Sequence, residues 1–226
     1  MHSHDHDPPA MDRAFWDARY LESHRIWSGN PNPQLVDEVA GLPPGSALDV
    51  GCGEGADTLW LAQRGWRVTA VDISGVALER AREHVEAAGA GHRVTWVQAD
   101  LTEGAEVGGP FDLVSAQFLQ LPAAQQPLLH RRLAELVGPG GTLLVVAHHP
   151  SDLDLPQVRR PPRRDLFFTA EDVVAVLDRA SWVVEVAQAR PRPSTSAEGE
   201  VVTVRDTVVR ARRAGGDGQR PVAQLG

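Results

Sequence analysis

The chain has 226 residues, 42% of them hydrophobic, and a formal net charge of −8. That length suits one domain with a sizeable core, and an acidic balance without any block of lysine and arginine argues against a broad phosphate-binding surface and so against a nucleic acid partner. The single cysteine, Cys52, excludes an intramolecular disulfide and fits a reducing compartment; no apolar run reaches membrane-span length and Met1-His2-Ser3-His4-Asp5-His6 has no apolar signal core, so a cytoplasmic protein with no membrane partner is expected.

In chain order, residues 1–10 read as a disordered polar tail whose His2, His4 and His6 are solvated rather than metal-binding. Asp12 is placed to cap a helix reaching about Ser23, with Phe15, Trp16 and Tyr20 on one side. The loop from Ile26 to Pro33 carries Trp27 among glycine, proline and asparagine. Helix packing does not position such a tryptophan, so it either plugs a gap or lines a site. Asn32 and Pro33 open a second helix, and Gly41 stops it.

Strand and helix then alternate. Strands are expected over 45–50, 67–71, 93–98, 111–115 and 142–147, with helices over 54–64, from the cap Ser74 to about Ala88, and near 123–137. This order makes a parallel sheet with right-handed crossovers. Gly138-Pro139-Gly140-Gly141 reads as a sharp turn before the fifth strand. After His148 and His149 comes a long loop rich in proline and arginine, the kind of connection that serves as a lid or binding loop. Thr169 to Asp172 has capping character before a short helix. Trp182 to Ala189 and Val201 to Arg210 read as a closing hairpin, and residues 212–226 as a second disordered tail.

The chemistry gathers at Leu48-Asp49-Val50-Gly51-Cys52-Gly53-Glu54-Gly55, a strand, glycine turn and helix start. Glycines there bend the backbone and leave no Cβ between chain and ligand. Cys52 reads as a small residue packed in that turn rather than a nucleophile. Gly51-x-Gly53-x-x-Ala56 also fits a dinucleotide fingerprint. Two features point away from it. Asp49 lies two residues before the first glycine and suits a cationic ligand, and later strands also end in acids. Asp72 falls where an acid binds ribose hydroxyls, and Asp100 where one can accept from an exocyclic amine.

Together with Val71-Asp72-Ile73-Ser74, Gln98-Ala99-Asp100-Leu101 and Phe111-Asp112-Leu113-Val114-Ser115, this stretch resembles the class I S-adenosylmethionine-dependent methyltransferases over residues 11–211. The resemblance implies a Rossmann-like α/β domain: a seven-stranded, mostly parallel sheet with an antiparallel last strand, helices on both faces and an N-terminal helical cover. It implies S-adenosylmethionine as cofactor, with Asp49 near the methionine amino group and Gly51 and Gly53 approached by the ligand. Asp72 would take the ribose, Ile73 an adenine face, Asp100 and Leu101 the adenine edge, and Gln117 the methionine moiety. Trp16-x-x-x-Tyr20, with Trp27 after it, looks like the aromatic cover of the thiopurine and tellurite-resistance type enzymes. That favours a small-molecule acceptor: a thiol or chalcogen oxyanion, with a hydroxyl or amine as the open alternative. His148, where the fifth strand opens on the cleft, is the candidate base. A His148-His149-x-x-Asp152 metal site has poor chelate spacing. A nicotinamide-dependent oxidoreductase and a non-catalytic S-adenosylmethionine-binding protein are the rival readings.

Overall fold

A computed structural model describes residues 10–158, 160, 163–196 and 198–215. The tail residues 1–9 and 216–226 lie outside the described residues. The elements are α1 (Arg13–Leu21), α2 (Pro33–Val39), β1 (Ser46–Val50), α3 (Ala56–Gln63), β2 (Arg67–Asp72), α4 (Gly75–Ala87), β3 (Val94–Gln98), β4 (Phe111–Gln117), α5 (Gln126–Leu136), β5 (Val137–His148), α6 (Ala170–Val174), β6 (Trp182–Thr195) and β7 (Val201–Arg213).

The seven strands form one sheet in the order β3-β2-β1-β4-β5-β7-β6. The pairs from β3 to β5 are parallel, and β7 runs antiparallel to both β5 and β6. Successive residues of the central strands point to opposite faces, which is how one sheet feeds two cores. Leu48, Val114, Leu143 and Val145 pack with Leu129 and Leu133 of α5 and with Phe168 and Val173. Ala47, Leu113, Leu144 and Val146 pack on the other face with Leu35, Leu61, Leu78 and Val85 of α2, α3 and α4.

The helix starts follow local chemistry. Asp12 accepts the Phe15 N–H at 2.9 Å, Asn32 accepts from Gln34 with Pro33 in the first turn, and Ser74 accepts from Ala77. Each satisfies an N–H that the helix itself cannot pair. Thr169 and Asp172 form a reciprocal capping box at α6.

Three sequence boundaries change. The glycines at 138–141 do not make a turn ahead of a strand. They lie inside β5 as a bulge, between the pairs Phe111–Val137 and Leu113–Thr142, because β4 offers fewer residues than β5 over that span. β6 is longer than hydrophobicity suggests, since its polar outer end stays paired with β7 as a two-stranded ribbon from Pro191–Arg205 to Thr195–Val201, beyond the end of β5. At its other end β7 reaches Arg213, inside the segment expected to be a tail, because Ala211 and Arg212 pair with Leu143 and Thr142 of β5 and Arg213 pairs with Trp182 of β6.

Candidate active site

The glycine turn after β1 sits at the carboxyl end of the sheet, where open α/β folds place ligands. Gly53 has φ +52°, and a Cβ built on it would come within 3.0 Å of the Tyr20 hydroxyl and 3.3 Å of the Trp27 indole nitrogen. A side chain there is strained by the backbone and crowds both aromatics, which lie directly over the turn. They are joined: the Trp27 indole N–H donates to the Tyr20 hydroxyl at 3.1 Å. Tyr20 is 3% exposed and Trp27 47% exposed, so one is the anchor and the other the rim. Trp16 stacks at a tilt on Tyr20, ring centres 6.3 Å apart, and Phe15 meets Trp16 edge-on at 5.4 Å.

Two acids fasten this cover. The Glu54 carboxylate accepts the backbone N–H groups of Ile26 and Trp27 and pairs with Arg80 at 3.1 Å. Asp17 on α1 accepts from the Ser74 hydroxyl and the Val76 N–H at the start of α4. Sequence reasoning missed both. Glu54 occupies a variable position of the glycine motif, and Asp17 lies on α1 between the aromatics; neither has a local signature.

Beneath the cover lies an acidic floor. Asp72, at the end of β2, is buried and accepts the N–H groups of Gly53 and Ser74, each at 2.9 Å. Asp49 is buried in β1 and accepts from the Thr58 hydroxyl. Asp57 accepts the Asn32 N–H at 2.6 Å. Burial pushes all three carboxyls upward; the neighbouring Asp57 adds to the effect on Asp49, which reaches about 7, while Asp57 reaches about 6. Burial, with Asp72 nearby, also holds the Tyr20 phenol and the Cys52 thiol up, so both stay protonated at neutral pH. Cys52 is a packed residue of the turn.

Gln117 ends β4. Its carbonyl accepts from the Asn32 amide at 2.7 Å and its amide donates to Ser115 at 2.9 Å. Leu119 lies 3.3 Å from where a Gly51 Cβ would stand. Ile73 is half-buried beside Asp72. Asp100 caps a short 3-10 turn through Thr102, at 2.8 Å from its N–H and 2.7 Å from its hydroxyl, and Leu101 behind it is buried. Asp100 thus has a structural job that leaves its second carboxylate oxygen available.

His148, the last residue of β5, lies apart from the acidic floor, against Phe118 with ring centres 4.5 Å apart. Burial first, then the guanidiniums of Arg160 and Arg192, push its imidazole down to about 3. It is neutral at pH 7 but a far weaker base than the sequence suggested. His149 faces elsewhere and bonds Ser151. Among the described residues no group of three or more His, Cys, Asp or Glu could hold a metal ion, and no helix is long and apolar enough to cross a membrane.

Residues 47–141 match the family model described as a methyltransferase domain. A ubiquinone biosynthesis O-methyltransferase of Pseudomonas paraeruginosa is 30% identical over 175 residues, which cover 76% of this chain and 70% of that protein. The chain belongs to the class I S-adenosylmethionine-dependent methyltransferases. A release factor glutamine methyltransferase of Chlorobaculum tepidum is 36% identical over 139 residues, 55% of this chain, but the match spans only 47% of that protein's length. The fold is also that of TehB from Haemophilus influenzae, with a TM-score of 0.65 at 20% identity over 88% of this chain and 66% of that one.

The methyltransferase site fits S-adenosylmethionine on two grounds. Gly53, at φ +52°, keeps the turn's backbone free of a side chain at the carboxyl end of β1, where a donor can approach it. The donor is a sulfonium with an ammonium group, and Asp49, Asp57 and Asp72 gather three buried carboxyls that burial pushes upward, so a cation placed among them would favour their ionised forms and be held by them.

Proposed function

We propose that this methyltransferase moves the methyl group of S-adenosylmethionine to a small-molecule acceptor, and that the residues around the glycine turn hold the donor. The observation that carries this reading is the position of Asp72, buried at the end of β2 and bonded to Gly53 and Ser74, so that one carboxylate fixes both the turn and the start of α4. Each of its oxygens keeps a lone pair for a ribose hydroxyl. Asp49 and Asp57 supply negative charge for the methionine ammonium. Gln117, oriented by Asn32 and Ser115, borders the methionine moiety. Ile73, Asp100 and Leu101 border the adenine, and Trp16, Tyr20 and Trp27 cover the methyl. The donor supplies a methyl on a sulfonium, displaced by an acceptor lone pair while the C–S bonding pair goes to sulfur. The protein's part is alignment, which supplies much of the rate of such a displacement, and exclusion of water.

The acceptor is a small molecule because the catalytic end is roofed by the chain's own α1 and Trp27 loop. The O-methyltransferase relative favours a hydroxyl acceptor over a thiol, a chalcogen oxyanion or an amine. Incubating the protein with methyl-labelled S-adenosylmethionine and a panel of phenols, thiols, amines, selenite and tellurite tests this. Label transfer to one class supports the reading. Tight donor binding without transfer to any class supports a non-catalytic binding protein, and binding of a nicotinamide dinucleotide in place of the donor overturns both.

A further inference from the structure

On the far side of Gln117 from the acidic floor lies a cluster of opposite character. Phe118 follows β4 with φ +55°, a left-handed conformation that a bulky side chain rarely adopts. Its ring lies against His148, with Phe167 6.5 Å from that imidazole, and the Arg192 guanidinium of β6 stands 5.8 Å from the Phe118 ring centre. Arg160 brings a second guanidinium to the same histidine.

Each cation is anchored from behind by a fully buried carboxylate. Arg160 pairs with Asp152 at 2.7 Å, and Arg192 pairs with Asp206 at 2.6 Å. Asp152 is itself held by the Arg205 N–H, and Asp206 by the Gln34 amide. These anchors fix the guanidiniums in place, yet among the described residues the Nε of Arg160, the Nδ1 of His148 and the Oδ1 of Asp206 are buried without a hydrogen-bond partner. Buried polar groups are rarely left so, and such exceptions ask for a ligand or water. The cluster adjoins the donor turn, since Leu119, next after Phe118, packs over Gly51.

We infer that Phe118, His148, Phe167, Arg160 and Arg192 form the acceptor subsite and that it takes a planar aromatic acceptor in anionic form. The inference rests on the methyl-transfer reading. The rings give an apolar wall for a flat molecule, and the guanidiniums hold its charge by charge-assisted hydrogen bonds. Where the anionic oxygen is itself the one that takes the methyl, it already carries the lone pair and no proton has to be removed during transfer; a neutral hydroxyl on the same ring would lose its proton to solvent. That fits a histidine whose burial, and after it two cationic neighbours, opposes its protonation. His148 then offers a hydrogen bond to the acceptor rather than acting as its base.

Calorimetry on the full chain with S-adenosylhomocysteine present compares 4-hydroxybenzoate, its neutral isostere 4-hydroxybenzamide, and the non-planar anion cyclohexanecarboxylate. The benzoate is expected to bind at least about tenfold more tightly than either. The double variant R192M/D206N removes both partners of the ion pair together, so that Asp206 is not left as a lone buried charge. It is expected to bind S-adenosylhomocysteine as the parent does and to lose the preference for benzoate. If that protein does not fold, Arg192→Lys keeps the charge but not the planar fork, and is expected to narrow the preference. Equal affinity for benzoate and benzamide in the parent, no benzoate binding up to millimolar concentration, or a double variant that keeps the preference overturns the inference. Failure of the parent to bind S-adenosylhomocysteine at all is instead a failure of the methyl-transfer reading.

Discussion

The carboxylate of Glu54 accepts the backbone N–H of Trp27 at 3.0 Å, so the residue after Gly53 holds the loop whose indole lies over Gly53. The glycine turn and the aromatics over it are thereby one mechanical unit. Hydrogen bonds to a charged acceptor contribute about 1.5–3 kcal/mol each where the group is shielded, and the Glu54 side chain is 11% exposed. Glu54→Ala is expected to release the loop while α3 stays folded. Hydrogen exchange checks it: the Ile26 and Trp27 amides should lose protection and the sheet amides should not. Unchanged exchange at those two amides would assign the docking to Asp17 and the aromatics alone.

Asp72→Ala is expected to weaken S-adenosylmethionine binding at least about tenfold, the loss of one hydrogen bond to a charged group. The same variant frees the Gly53 and Ser74 amides that Asp72 now holds, so a modest fall in melting temperature goes with it. Asp72→Asn keeps one acceptor oxygen and should lie between. A dissociation constant that does not change in either variant removes Asp72 from the site.

Asp49 and Asp57 ionise late in the free protein, near 7 and 6, because they are buried close together. A bound cation favours their ionised forms, so donor binding should expel protons and tighten as pH rises from about 5 to about 8. Folding carries the opposite sign. The folded pKa values exceed those of the unfolded chain, so the two groups cost stability above about pH 7, and the cost fades as pH falls toward about 4. Calorimetry in buffers of different ionisation enthalpy reads the proton count directly. Affinity that stays flat across this range, with no proton release, disproves the link.

The sheet and the glycine turn at its carboxyl end were legible in the sequence because they rest on local signals. Apolar strands bounded by glycine, the caps Asp12, Asn32 and Ser74, and acids at strand ends each act within a few residues. The bulge at 138–141 was not legible, because a Gly-Pro-Gly-Gly run spells a turn unless the partner strand demands extra length. His148 was found by its place at the end of a strand. Its weakness as a base was hidden, since it depends first on burial and then on Arg160 and on Arg192, the latter on an edge strand far along the chain. Glu54 and Asp17 were missed for the same reason: their partners are backbone and hydroxyl groups on other elements.

Trp27 separates cover from core. With its side chain nearly half exposed, it contributes little to the folded core, whereas Tyr20 beneath it is buried. Truncating a fully buried tryptophan costs about 3–5 kcal/mol. Trp27→Ala should cost well under that, and its larger effect should fall on turnover, because the methyl then lies open to water. Tyr20→Phe should be the milder companion. It removes the acceptor of the indole N–H, a bond of about 1 kcal/mol, and keeps the ring that packs on Trp16. If the pair works as a cover, hydrogen exchange over residues 11–31 should slow when S-adenosylmethionine binds, and Trp27→Ala should erase most of that slowing. The two measurements must agree. Equal protection with and without the donor, together with a drop in melting temperature that outweighs the drop in turnover, makes Trp27 a packing residue and ends the cover reading.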